Sequence, residues 1–436
     1  MVATLCSSPV GAPLSGAVRL PGDKSVSHRS LMFGAIADGT TRIQGLLEGE
    51  DCLATRDAMH AMGVNIERHE AGAYSVHGVG MHGLNAPSSP IDLGNSGTAM
   101  RLLCGLLAAQ PFPSALVGDA SLSTRPMRRI TEPLGLMGAR VTTVDGHAPL
   151  SVSASEALHG LHYDMPIASA QLKSALLIAG LYASEPIRLA EPGPSRDHTE
   201  RMLQAMGVDI EYGNGRVLMR PPERLLAIDI EVPADLSSAA FFLVAGTVVP
   251  GSALTLPGVG LNPTRDGVLS VLARMGATIS PSAHRECGAE PVADLRVGAS
   301  TLQARSFGPD VVPLAIDEFP VLFIAAALAD GCTSFTGLEE LRHKESDRIG
   351  VMTTAMRSLG VQLEEGEDWV RITGGAIHGG RIDSHGDHRV AMAFAVAGTM
   401  AKAPIIIENA DKIATSFPNF VDLANSCGMD LRPHYD

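Results

Sequence analysis

The residues best suited to chemistry in this chain stand immediately before apolar runs of small side chains. In "LPGDKSVSHRS" (residues 20–30), Lys24, Ser25, Ser27, His28 and Arg29 crowd ahead of "LMFGAIA". "GNSGTAMR" brings Asn95, Ser96, Gly97, Thr98 and Arg101, "SAQLKSA" brings Ser169, Gln171 and Lys173, and "GDHRVAM" brings His388 and Arg389. Further cations lie in "STRPMRR" (Arg125, Arg128, Arg129), "SRDHTER" (Arg196) and "HKESDR" (Lys344, Arg348). A helix N-terminus exposes unpaired N–H groups and a partial positive charge, so it favours anions. Cations and hydroxyls added there suit a small molecule carrying phosphate or carboxylate. The chain as a whole is acidic, with 33 cations against 47 acids and a net charge of −14. The cations are therefore placed selectively. Taken singly, each reads as a cap or a solvated charge; as a recurring set they read as a polyanion site. Asp317 in "IDEFP" and Glu345 in "HKESDR" share these positions. Alone, both read as first-turn acids. Beside bound anions, a carboxylate can have its pKa raised and move protons.

The elements behind these residues repeat. One series is a polar or Gly-rich turn followed by an apolar helix. Counted from Lys24, Gly97, Gln171, Ser237, Asp317 and His388, its steps are 73, 74, 66, 80 and 71 residues. The other is a helix ended by glycine before a strand, at Gly63, Gly138, Gly207, Gly276, Gly360 and Gly428. Glycine there is the left-handed C-terminal cap. The two series interleave, which predicts six α/β units with two helices each. The first helix of each unit is apolar nearly all round and should be central and buried. Stretches such as "AGAYSVHGVG" and "RLLAIDIEVP" supply strands. Six units in 436 residues predict two domains of three units. The sixth unit stops soon after Gly428 without further strands, and "LSGAVRLPG" is a lone N-terminal strand that should join the C-terminal half. The expected domains are 21–233, and 1–20 with 234–436, with crossovers near Pro21 and Pro233.

Several functions are disfavoured. Acidity and an aromatic content of 4% argue against nucleic acid and anionic membranes as partners. No apolar run approaches the roughly 18 residues of a membrane span, and "MVATLCSSPVG" does not read as a signal peptide. Six scattered cysteines without a C-x-x-C fit a reduced cytoplasm. "GVGMHG" matches a dinucleotide fingerprint, but the prolines of "LNAPSSP" forbid the helix it needs. "GNSGT" lacks the Gly-Lys-Ser/Thr of a P-loop, and no nucleophile elbow is present. His385 and His388 do not make a metal motif, so neither a metal nor a cofactor is expected.

The motifs together resemble the enolpyruvyl transferase family. Those that carry the likeness are "LPGDKSVSHR", "GNSGTAMR", "GDASLSTRPM", "SAQLKSA", "SRDHTERM", "NPTRDG", "IDEFP", "RHKESDR", "GDHRVAM" and "ATSFPNF", and they cover nearly the whole chain. The resemblance implies a two-domain inside-out α/β barrel. Each domain would hold three repeated units around a pseudo-threefold axis, with the active site in the cleft. It also implies transfer of the enolpyruvyl group of phosphoenolpyruvate to an acceptor hydroxyl, with release of phosphate. The shikimate branch, whose acceptor is shikimate 3-phosphate, fits best. The branch acting on UDP-N-acetylglucosamine typically carries a cysteine where this chain has Ala120. A non-catalytic binder of phosphorylated sugars or acids is the reading from another class; it would need the cations but not the two acids.

By that resemblance Lys24 should touch both substrates. Ser25, Arg29, Ser169, Ala170 (through its backbone), Gln171, Arg196, Asp317 and Lys344 should hold shikimate 3-phosphate. Gly97, Arg125, Gln171, Arg348 and Arg389 should hold phosphoenolpyruvate. Asp317, Glu345 and Lys24 are the proton-transfer candidates, with acid and base not separately assigned. The resemblance further implies a cytoplasmic monomer and glyphosate as an inhibitor, with tolerance to it left open. Three positions depart from many members: Leu102 replaces a proline, Thr415 replaces a lysine, and Lys412 is out of register with that lysine.

Overall fold

The computed structural model describes residues 4–435. All six apolar runs form helices: Lys24–Ile36, Gly97–Leu107, Ala170–Gly180, Leu236–Val248, Phe319–Ala327 and His388–Gly398. Each is buried along almost its whole length, and in Phe319–Ala327 and His388–Gly398 every residue is buried. Apolar side chains on nearly every face, interleaved with Ala and Gly, make this feasible, because the small residues let helices pack closely. Five helices start on a side-chain cap. Asp23, Ser96, Ser169, Asp235 and Asp387 each accept a backbone N–H from the first turn. The outer helices end at the six glycines read from the sequence, all with φ between +83° and +107°.

The strands form six four-stranded sheets. One sheet shows the common plan. Ile91–Asp92 runs parallel to Ser114–Val117, which is antiparallel to His147–Val152, which is antiparallel to Val141–Val144. Remote pieces of chain complete three sheets. Ile230–Glu231 pairs in parallel with Asp38–Gln44, returning the third unit to the first. Ser15–Ala17 pairs in parallel with Ala253–Gly260. Thr4–Ser8 lies antiparallel between Ile405–Glu408 and Asp430–Pro433.

Two expectations are corrected here. The N-terminus supplies two strands, not one, and a strand, Asp430–Pro433, does follow Gly428. The first was hidden because Ser7, a polar residue, faces inward and donates to the Ala395 carbonyl at 2.7 Å. That breaks the apolar alternation on which strand reading depends.

The chain divides into two units. One comprises Gly22–Val232 together with Glu286–Glu290; the other comprises the chain up to Pro21, Pro233–Arg285, and Pro291 onward. Each has its own continuous apolar core. The expected bounds put residues 286–290 in the second unit. Those residues form the tip of the hairpin Thr278–Cys287/Glu290–Gly298 and join the first. There Glu290 pairs with the buried His198 at 2.7 Å, and the Ala289 carbonyl accepts from Arg201 at 3.3 Å.

Glycine is required where central helices meet their neighbours. A Cβ on Gly105 would lie 2.3 Å from the Ala175 carbonyl oxygen of the adjacent central helix, and one on Gly398 would lie 2.2 Å from Ser7 Oγ. Gly105→Ala should therefore lower stability by about 1–3 kcal/mol through overpacking. A shift of the urea midpoint at unchanged slope is the expected reading; an unchanged midpoint would mean that the two helices do not approach this closely.

Candidate active site

In the unit built mainly of Gly22–Val232, the mouths of the three central helices are tied together by side chains. Lys24 opens the first helix, and its ammonium pairs with Asp51 on the outer helix Glu50–Ala61. Arg29, one turn on, is buried and commits three of its five N–H donors within the protein. It donates to Thr199 Oγ1 and Ser174 Oγ, both at 2.7 Å, and to the Ser25 carbonyl at 2.9 Å. Burial pushes its pKa down to about 10, against the pull of Glu200 and Asp23. At the second mouth, Ser96 caps the helix and Gly97 lies bare beneath two guanidinium groups. A Cβ there would come within 3.0 Å of Arg125 Nη1 and 3.2 Å of Arg101 Nη1. Arg125 donates to Asn95 Oδ1, whose amide in turn donates to Asp119. Arg101 donates to Gln171 Oε1 at 2.6 Å, and Gln171 Nε2 donates to Thr98 Oγ1 at 3.0 Å, joining the second and third mouths. Ser169 caps the third helix, which begins at Ala170. Arg196 is half-buried just before the outer helix His198–Ala205.

Lys173 departs from its reading as a mouth cation. Its side chain is 2% exposed, and its ammonium lies 2.8 Å from Glu191 and 2.7 Å from Glu200. Burial works against this charge, but the two carboxylates outweigh it and hold the ammonium above its ordinary pKa. One cation shared by two acids leaves Glu200 pushed up by burial. The group is structural, because its hydrogen-bonding capacity is spent inside the unit.

In the other unit the arrangement centres on Arg348, which opens the outer helix Arg348–Ser358 and is 1% exposed. It donates from Nε to Asp387 at 2.9 Å, from Nη1 to Asp317 at 3.3 Å, and from Nη2 to Glu345. Burial opposes its charge, but Asp387, Glu345 and Asp317 more than compensate and raise its pKa. Asp387 is fully buried, caps the His388–Gly398 helix, and also accepts from Ser346 Oγ at 3.0 Å. Burial would raise its pKa, yet Arg348 holds it below the usual carboxylate value. Arg389 donates to the Asp317 carbonyl at 3.1 Å and sits 3.9 Å from its carboxylate. Asp317 thus lies between two guanidinium groups. Burial lowers the pKa of Lys344 even with Asp317 and Glu340 nearby.

The sequence reading therefore assembles into two sets. Lys24, Ser25, Arg29, Gly97, Arg125, Ser169, Ala170, Gln171 and Arg196 belong to one unit. Asp317, Lys344, Glu345, Arg348 and Arg389 belong to the other. Asp51 and Asp387 were not singled out, although "GDHRVAM" contains Asp387, and Arg101 was read among the helix-mouth cations without a substrate. For Asp387 the signal was an acid immediately before a buried helix that carries arginine. Thr415 is buried in a 3₁₀ turn and donates to the Lys412 carbonyl at 2.7 Å, so it cannot stand in for a lysine. Among the described residues no group of three or more side chains could hold a metal ion, and no helix is long and apolar enough to cross a membrane.

Comparison with known proteins matches residues 10–423 to the family model described as EPSP synthase (3-phosphoshikimate 1-carboxyvinyltransferase). A curated relative from Halorhodospira halophila named 3-phosphoshikimate 1-carboxyvinyltransferase is 55% identical over 429 residues, covering 97% of each chain. One of the same name from Acidithiobacillus ferrooxidans is 54% identical over 421 residues, again covering 97% of each. The solved EPSP synthase of Acinetobacter baumannii superposes with a TM-score of 0.89 at 48% identity, covering 98% of this chain and 99% of that one.

His28 provides a test of the buried helix mouth. Its Nδ1 meets Thr55 Oγ1 at 2.7 Å, and its ring is fully buried. Burial, then the Lys24 and Arg29 charges, push its pKa well below 6.5. The unfolded chain therefore takes up a proton as pH falls through 6.5 while the folded chain does not, so stability declines on the acid side of 6.5. The limiting slope is about 1.4 kcal/mol per pH unit for one proton. Between pH 6.5 and 5, His28→Gln should lose stability less steeply than the wild type in urea titrations. Parallel slopes would contradict the neutral buried ring.

Proposed function

The chain belongs to the EPSP synthase (3-phosphoshikimate 1-carboxyvinyltransferase) family, and on that premise we propose how its residues divide the work. The reaction transfers the enolpyruvyl group of phosphoenolpyruvate to the 5-hydroxyl of shikimate 3-phosphate and releases phosphate, a step of the shikimate pathway. The methylene carbon of the enolpyruvyl group is protonated and the hydroxyl adds to the adjacent carbon. The tetrahedral intermediate then loses phosphate and a proton. Two proton transfers and a departing dianion call for placed acids and bases and a fixed field of cations.

Ser25, Arg29, Ser169, Gln171, Arg196 and Lys344, with the Ala170 backbone, hold shikimate 3-phosphate. Gly97, Arg125, Gln171, Arg348 and Arg389 hold phosphoenolpyruvate, and Lys24 reaches both. The bare Gly97 backbone under Arg125 and Arg101 supports this, since a small anion can approach N–H groups and guanidinium together. The observation that carries the chemical reading is Asp317. Its carboxylate faces Arg348 and Arg389, while Glu345 is tied to the same Arg348. A binding protein for anions needs only enough counter-charge to hold its cations still; a catalyst that moves two protons also needs carboxylates beside the substrates. Asp317, Glu345 and Lys24 serve proton transfer, and the substrates are bound by both units together. We infer that the chain works as a cytoplasmic monomer and that the bare Gly97 leaves room for glyphosate as an inhibitor.

Purified protein given phosphoenolpyruvate should release phosphate with shikimate 3-phosphate as acceptor and not with UDP-N-acetylglucosamine. Asp317→Ala should lower turnover by roughly 10²–10⁴-fold while shikimate 3-phosphate still binds. Turnover within a few-fold of wild type would remove Asp317 from the chemistry. Light scattering should return the 45.5 kDa of a single chain.

A further inference from the structure

The six central helices do not all start alike. Five of the residues before them, Asp23, Ser96, Ser169, Asp235 and Asp387, turn the side chain onto their own helix. Glu318, before Phe319–Ala327, does not. Its carboxylate is 1% exposed and points to the two neighbouring helices instead. Oε1 accepts from Ser237 Oγ, at the start of Leu236–Val248, and lies 4.0 Å from Arg389 Nη1, at the start of His388–Gly398. The direction of the Ser237 bond is fixed. Arg265 Nη2 donates to Ser237 Oγ at 2.6 Å, so the hydroxyl proton is left for Glu318. Arg265 is itself buried and held by Asp235 at 2.8 Å. The result is a buried relay, Asp235–Arg265–Ser237–Glu318–Arg389, that joins all three helix mouths of this unit.

Burying a carboxylate is costly unless it is paired and hydrogen-bonded. Ser237 supplies a hydrogen bond, and Arg389 is a cation within reach. The same Arg389 Nη1 donates to the Asp317 carbonyl, one residue before Glu318. Glu318 thus places a negative charge 4.0 Å from Arg389, while the adjoining backbone carbonyl accepts from the same nitrogen at 3.1 Å. We propose that Glu318 is a positioning residue for the transfer reaction, holding the Arg389 guanidinium in the orientation that receives phosphoenolpyruvate. It touches neither substrate. The proposal rests on the assignment of Arg389 to phosphoenolpyruvate made above. Glutamine at 318 would keep the shape and accept from Ser237, but would lose the charge that holds Arg389.

The test separates the proposal from that assignment. Arginine-labelled protein is examined by side-chain NMR, with the Arg389 signal identified by its loss in Arg389→Lys. In the wild type the guanidinium should show restricted rotation, and Glu318→Gln should release it. In phosphate-release assays Glu318→Gln should raise KM for phosphoenolpyruvate about tenfold, keep KM for shikimate 3-phosphate within threefold, and leave Tm within a few degrees. Adding Ser237→Ala to Glu318→Gln should change little further, since both cut one relay. Should Glu318→Gln fail to fold, Ser237→Ala alone severs the relay and should loosen the same signal. A guanidinium signal unchanged in a folded relay variant would overturn the proposal, as would an equal rise in both KM values. If Arg389→Lys leaves KM for phosphoenolpyruvate unchanged, the assignment of Arg389 falls; a signal released by Glu318→Gln would still establish the positioning contact.

Discussion

Everything at the site depends on holding like charges at helix mouths before any substrate arrives. Helix N-termini already carry partial positive charge, and this chain adds lysine and arginine to them. Without counter-charges these groups would repel one another and unfold the mouths. The fold meets this with carboxylates supplied from the loops and outer helices: Asp51 for Lys24, and Asp387, Asp317 and Glu345 for Arg348. Two of the carboxylates that hold Arg348 still, Asp317 and Glu345, are also those we propose for proton transfer. Asp317 and Glu345 are therefore both structural counter-ions and candidates for the chemistry.

The same constraint explains why the central helices are so apolar. A helix buried on all sides can present only its end to solvent, so function is confined to the first turn. Small residues let the helices pack closely enough for the first turns to exchange hydrogen bonds. Arg101 reaches Gln171, Gln171 reaches Thr98, and Ser237 reaches Glu318. Gly105 and Gly398 are consequences of this closeness, since any side chain there would meet backbone or Ser7.

Much of this was legible in the sequence because it repeats. Six apolar runs and six capping glycines gave the helices, their order and the residues at their mouths. The resemblance then attached substrates to those residues. What the sequence hid were contacts between segments distant along the chain. Nothing in "SAQLKSA" distinguishes Lys173, locked between Glu191 and Glu200, from Gln171 at the mouth two residues earlier. The carboxylates come from 18 and 27 residues further along the chain. Strand Thr4–Ser8 was hidden by an inward serine, and the hairpin tip 286–290 by its attachment through His198. Glu318 was passed over beside Asp317 in "IDEFP", and only its failure to cap its own helix sets it apart.

We propose that each unit contributes residues to binding the substrates. Equilibrium binding of shikimate 3-phosphate to Arg196→Met and to Lys344→Met tests it most directly, since these positions belong to different units. Each substitution removes one charge from the site, and each should weaken binding about tenfold or more, as for the loss of a charge-assisted hydrogen bond. Weakening by Arg196→Met alone, with Lys344→Met binding as tightly as the wild type, would contradict the account and confine that substrate to the first unit.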